Sequence, residues 1–144
     1  MSALINYEDV AVGDPLPGLR VPLRRVDLIM YAGASGDFNP IHWNERIARS
    51  VGLPNVIAHG MFTMGEAARV VTDWVGDPGA ITSLSGRFVR PVPVPDDDRG
   101  TEIRIAGSVV EKLPDRQVRV ELMAVIDNVD DALVLDRAQA TVQL

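Results

Sequence analysis

The feature that most constrains this chain is a change of hydrophobic period near residue 76. Before it, Met61, Met64, Ala68, Val71 and Val75 recur at spacings of three and four, which predicts a helix over 61–75. Ala67, Val70 and Trp74 are apolar on its other faces, the pattern of a helix buried nearly all round. Gly76 stops it, and Pro78 keeps it from resuming. After Gly79 the pattern becomes one of strands. A first strand is expected over 80–89. Ile103, Ile105, Gly107 and Val109 then alternate with Glu102, Arg104, Ala106 and Ser108. Val118 to Ile126 alternates likewise, and a last strand runs over 132–142, with turns at Leu113–Arg116 and Asp130–Asp131. Long strands joined by tight turns make an antiparallel meander. A buried helix followed by a meander implies an α+β fold, one helix wrapped by a curved sheet.

Upstream, Leu19, Val21 and Leu23 alternate as a short strand, and Pro22 assigns it to an edge. Val26 to Ala34, with Asp27 in its first turn, reads as a short helix ended by Gly33 and Gly36. Asn44 is the expected N-cap of a second short helix over 45–51, with Gly52 at its end. Leu53 to Ile57 reads as a linker. The segment Pro91-Val-Pro-Val-Pro95 cannot be a central strand, and 96–100 is expected as an exposed loop. With 144 residues, 47% of them hydrophobic, the expectation is one domain, 1–144, with a real core.

Between the first two helices lies Gly36-Asp37-Phe38-Asn39-Pro40-Ile41-His42. Pro40 fixes its own φ and keeps Asn39 out of the helical region. Asp37 and His42 therefore stand on a stiff segment where two side chains can converge. A carboxylate beside an imidazole can hold one water or hydroxyl and move its protons. Asn39 either orients His42 or serves only the local turn.

Net charge is -6, which argues against a nucleic-acid partner. Arg87 and Arg90 are the closely spaced cations that could meet an acidic ligand. No apolar run approaches the ~20 residues of a membrane span. There is no cysteine, so disulfides and thiolate metal sites are out. Together with an N-terminus that lacks a secretory pattern, this sets the cytoplasm as the expected location. The two histidines and the acids form no recognised metal spacing, and no glycine-rich phosphate loop is present. No bound cofactor is expected.

Tyr31-Ala-Gly-Ala-Ser35-Gly36-Asp37-Phe-Asn39-Pro40-Ile-His42, followed by Ala48, resembles the hydratase motif of the MaoC-like dehydratases and R-specific enoyl-CoA hydratases. Ala58-His59-Gly60-Met61 resembles the start of that family's central helix, and Val12-Gly13-Asp14, Trp74–Gly79 and Arg87-Phe88…Pro91-Val92 extend the likeness over most of the chain. Within the family, the likeness runs toward the catalytic subunits of mycobacterial two-subunit 3-hydroxyacyl-ACP dehydratases. The resemblance implies a hot-dog fold and reversible dehydration of (R)-3-hydroxyacyl thioesters, on CoA or acyl-carrier protein, in fatty-acid metabolism. It implies catalysis by Asp37 and His42, in either division of acid and base, with Gly60 at the oxyanion site. Asn39, Ser85, Gly86 and Arg87 are the candidates for orienting or binding substrate. His59 reads as structural. Hot-dog proteins of this kind pair, so a homodimer or a heterodimer with a second hot-dog subunit is expected. Two alternatives stay open: a hot-dog thioesterase, which would use Glu66 on the long helix, and a non-catalytic acyl-binding subunit.

Overall fold

The computed structural model describes residues 5–127 and 132–144. The turn expected at Asp130–Asp131 lies outside them. In chain order the elements are β1 (Leu19–Leu23), α1 (Arg25–Ser35), α2 (Glu45–Ser50), α3 (Gly60–Val75), β2 (Ile81–Phe88), β3 (Thr101–Leu113), β4 (Gln117–Ile126) and β5 (Ala132–Gln143). One antiparallel sheet, in the order β1-β3-β4-β5-β2, packs against α3 through β2, β3, β4 and β5. This is the hot-dog wrap. The meander β3-β4-β5 holds its centre, and β1 and β2 are its edges. Pro22 lies in edge strand β1, where a missing N–H leaves no central ladder broken.

The turn between β3 and β4 puts Asp115 and Arg116 at φ 56° and 58°, and the Gln117 N–H closes it on the Pro114 carbonyl at 3.2 Å. Positive φ at both central residues matches the right-handed twist of the flanking strands. The strands bury alternate residues, as their sequence demands. In β4, Val118, Val120, Leu122, Ala124 and Ile126 are buried against the helix, while Met123 faces out.

Two expectations need correction. Helix α3 is not buried all round. Its buried residues are Thr63, Met64, Ala67, Val70, Val71 and Val75, whereas Met61 is 62% exposed. The core stripe is rotated from the expected one because apolar side chains occur on several faces. The outward face is marked by Arg69, which pairs with Glu66 at 2.9 Å and Asp73 at 3.5 Å. The second correction concerns 53–57. Val56 is fully buried, and its carbonyl accepts the Val94 N–H at 2.9 Å, while the Ala58 N–H donates to Val92 at 2.9 Å. The supposed linker is thus held as a bridge against the proline-rich segment, whose Val92 and Val94 are buried.

The alternation in β4 can be checked directly. Leu122→Ala should lower unfolding free energy by about 2–5 kcal/mol. The neighbouring Met123→Ala should stay within about 0.5 kcal/mol. Urea titration of both variants measures the contrast, and equal losses would contradict the register.

Candidate active site

Helix α1 ends at Gly36, whose φ of 75° is the left-handed conformation that favours glycine, and its N–H closes on the Ala32 carbonyl at 2.9 Å. The chain then runs through a ladder of short side-chain bonds. Ser35 Oγ accepts the Asp37 N–H at 3.2 Å. Asp37 Oδ1 accepts the Asn39 N–H at 3.1 Å, and Asn39 Oδ1 accepts the Ile41 N–H at 3.2 Å. Asn39 therefore caps the one-turn helix Pro40–His42 and positions His42 through the backbone. Trp43 Nε1 donates to the Phe38 carbonyl at 3.0 Å and ties the loop across its base.

This loop directs Asp37 Oδ2 toward His42 Nε2, 3.9 Å away. The carboxylate is half exposed and the imidazole is buried. His42 Nδ1 lies 2.7 Å from the Ile57 carbonyl, which can only accept, so Nδ1 carries the proton. Nε2 then faces Asp37 with its lone pair free. Burial holds the His42 pKa below its usual 6.5, and the charge of a nearby His59 lowers it further. The Ile57 carbonyl and Asp37 oppose this but do not outweigh desolvation. The site thus keeps an unprotonated imidazole ready to accept a proton at neutral pH.

His59 and Gly60 arrive from the other side. His59 is the N-cap of α3 and makes no side-chain cap bond; the Phe62 N–H closes back on the His59 carbonyl at 3.1 Å, and no side chain caps the N–H groups of Gly60 and Met61. A Cβ on Gly60 would come within 3.2 Å of the Phe88 ring. Phe88 and Gly60, with Ile57, Ala58, Thr63 and Arg90, border a cavity of about 390 Å³. Asp37 and His42 do not line that cavity. It adjoins them through Ile57, whose carbonyl holds His42, and through Gly60.

The remaining sequence candidates are placed differently. Ser85, Gly86 and Arg87 lie on edge strand β2 and do not line the cavity; Arg90 does. A Cβ at Gly86 would come within 2.8 Å of Met64 and 3.2 Å of Ala138, so this glycine answers to the packing of α3 on the sheet. Glu66, the carboxylate that hydrolysis would need, is held by Arg69 at 2.9 Å. Sequence reasoning missed Ile57, which offers only a carbonyl, and did not place His59, read as structural, against His42 and Asp37. The donor atoms of Asp37, His42 and His59 lie within 4.8 Å of one another, a cluster that their spacing did not reveal. One nitrogen of each ring bonds a carbonyl, which leaves His42 Nε2 facing the Asp37 carboxylate and His59 Nδ1 without a hydrogen-bond partner among the described residues.

Residues 10–126 match the MaoC-like domain. The chain belongs to the MaoC-like family. A solved MaoC-like dehydratase superposes with a TM-score of 0.92 at 39% identity, covering 99% of this chain and 43% of that one. The (R)-specific enoyl-CoA hydratase of Rhodospirillum rubrum is 34% identical over 107 residues, which are 74% of this chain and 73% of that enzyme. The peroxisomal enoyl-CoA hydratase 2 of Arabidopsis thaliana is 39% identical over 75 residues, 51% of this chain and 24% of that protein. This MaoC-like chain therefore spans less than half of two of these relatives.

The His42 environment has a measurable consequence. The titration of its ring protons by NMR should have a midpoint below 6.5. Because the folded-state pKa is the lower one, the unfolded chain binds more protons between the two values. His42 should therefore take stability away as pH falls through 6.5 toward its folded pKa, and the effect should level off below that. His42→Phe should flatten that part of the stability profile. A midpoint at or above 6.5 would contradict the buried lone pair.

Proposed function

We propose that this MaoC-like chain, one hot-dog unit of a pair, catalyses the reversible elimination of water from (R)-3-hydroxyacyl thioesters to give trans-2-enoyl thioesters. The observation that carries this reading is the 3.9 Å gap between an unengaged imidazole nitrogen and a facing carboxylate oxygen. One oxygen at hydrogen-bond distance, about 2.8 Å, reaches both. That oxygen is the substrate's 3-hydroxyl in dehydration and the attacking water in hydration.

In dehydration the C2–H bond breaks and its electron pair becomes the C2–C3 double bond by way of an enolate. The C3–O bond breaks, and the hydroxyl leaves as water with one proton. Asp37 and His42 exchange both protons as a coupled pair. The enolate oxygen needs fixed donors, and the uncapped first turn of α3 at Gly60 offers N–H groups and the positive end of the helix dipole. The apolar cavity beside Gly60 suits the acyl chain, and Arg90 at its border suits the phosphate-bearing arm of CoA or of an acyl-carrier protein. The phosphopantetheine belongs to the substrate, so the reading requires no resident cofactor. The relatives named as enoyl-CoA hydratases support the same chemistry.

A second hot-dog unit, identical or different, completes the reading. Edge strand β2 has β5 as its neighbour on one side and an open ladder on the other. Met61, Phe88, Phe38 and Trp43, all adjoining site residues, expose apolar surface that such a unit would cover. A location in the cytoplasm fits this metabolism.

Crotonyl-CoA tests the reaction class. Loss of enoyl absorbance without release of free thiol is the expected result, and thiol release would instead mark a thioesterase. Asp37→Asn and His42→Ala should each slow hydration by about 100- to 10,000-fold while remaining folded. The double variant should be little slower than the slower single one. Near-normal turnover by folded His42→Ala would remove the assignment.

Gly60 gives a separate check. Gly60→Ala has only the edge of the exposed Phe88 ring to displace, so it should fold with near-normal stability. Gly60→Val should obstruct the thioester oxygen and lower turnover, where loss of one donor is worth about 3 kcal/mol in the transition state. Melting temperature beside kcat separates the two effects. A stable, fully active Gly60→Val would contradict the oxyanion role.

A further inference from the structure

His59 touches both members of the proton-transfer pair. Its ring stacks on His42 with centroids 3.7 Å apart and planes 22° apart. Its Nε2 lies 3.0 Å from the backbone carbonyl of Asp37, and since a carbonyl can only accept, that nitrogen donates. Tyr31 packs against the same ring, with centroids 4.7 Å apart. The residue is 2% exposed, and among the described residues its Nδ1 has no hydrogen-bond partner. A residue needed only to fill this space would do so better without a buried, unpartnered nitrogen.

The bond to Asp37 explains why an imidazole is kept. The Asp37 carboxylate is 53% exposed and is not enclosed by packing. Its direction depends on the backbone from which it projects, and His59 anchors that backbone at the carbonyl. The same ring sets one face of His42. We infer that His59 is a positioning residue that fixes the separation of the Asp37 carboxylate from His42 Nε2, through its N–H bond to the Asp37 carbonyl and its stack on the His42 ring. This rests on the reading of Asp37 and His42 as the proton-transfer pair.

The test compares His59→Phe, His59→Gln and Asp37→Asn in the full chain, with crotonyl-CoA hydration, thermal melting and NMR of the His42 ring. His59→Phe keeps a ring beside His42 and removes the donor. It should melt no lower than the parent protein, yet lose about 10- to 100-fold in kcat with KM within about twofold, the signature of misplaced reacting groups. His59→Gln returns an amide N–H at the place of Nε2 and should recover most of that kcat. The chain has two histidines, so the one imidazole signal left in each variant reports whether His42 keeps its environment. Folded His59→Phe with kcat within about threefold of the parent would overturn the inference, as would a folded His59→Gln no faster than folded His59→Phe. Should His59→Phe fail to fold, His59→Gln decides alone. Turnover near that of the parent upholds the donor role, and a loss of about 10-fold or more in a folded protein overturns it. An active Asp37→Asn would instead remove the proton-transfer reading, and the two failures are thereby told apart.

Discussion

The hydrogen bond from His42 Nδ1 to the Ile57 carbonyl, 2.7 Å long, decides what the site can do. An imidazole free to choose its tautomer would present a lone pair or a proton to Asp37 at random. The carbonyl removes the choice. It is itself firmly placed, because the Ile57 N–H donates to Ile41 at 3.2 Å and the flanking residues bond to Val92 and Val94. Pro93 stands opposite Ile57 in an isolated bridge, so its missing N–H interrupts no longer ladder. The proline-rich segment thereby acts as a clamp on the residue that orients His42.

Electrostatics follow from that placement. The pair has one enclosed member and one half-exposed member. When His42 takes a proton, burial and His59 disfavour the charge, while Asp37 and the Ile57 carbonyl favour it. Burial is the largest of these effects, and the net result is a lowered His42 pKa. In the proposed reversible elimination, the proton removed in one direction is the proton delivered in the other, and a neutral imidazole at the start suits the removal.

The parts of the site that lie close in sequence were legible in the residues. Gly36, Asp37, Asn39, Pro40 and His42 define a local loop, and local loops follow turn chemistry. The Asn44 cap, which accepts the Ile47 N–H at 3.2 Å, is another case. Pro22 marked an edge strand for the same kind of reason. What could not be read depends on contacts distant along the chain. Ile57 contributes through a carbonyl, which every residue has, so its side chain carried no signal. His59 meets Asp37 across 22 residues. The buried face of α3 was ambiguous because Met61 and Ala68 are as apolar as Ala67 and Val70. Only the position of the sheet distinguishes them. Gly86 carried a signal with two readings, since a close approach by Met64 and Ala138 looks the same in sequence as a close approach by a ligand.

The segment 57–60 explains why these features occur together. Within four residues it offers the carbonyl for His42, the ring that anchors Asp37 and the helix end at Gly60. Consecutive Cα atoms are held about 3.8 Å apart by covalent geometry, so these three functions cannot drift independently. A buried nitrogen left without a partner costs about 1–3 kcal/mol, and among the described residues His59 Nδ1 places one in this segment. The meander is where that cost is offset. Its strands are paired along their length, and their inward Val, Ile and Leu residues are buried. The site therefore uses irregular chain and the first turn of α3, while the sheet keeps its antiparallel pairing through local register shifts. A rigid scaffold can carry a costly local arrangement without sharing its geometry, and that division of labour lets a short loop and four adjoining residues hold Asp37 and His42 face to face.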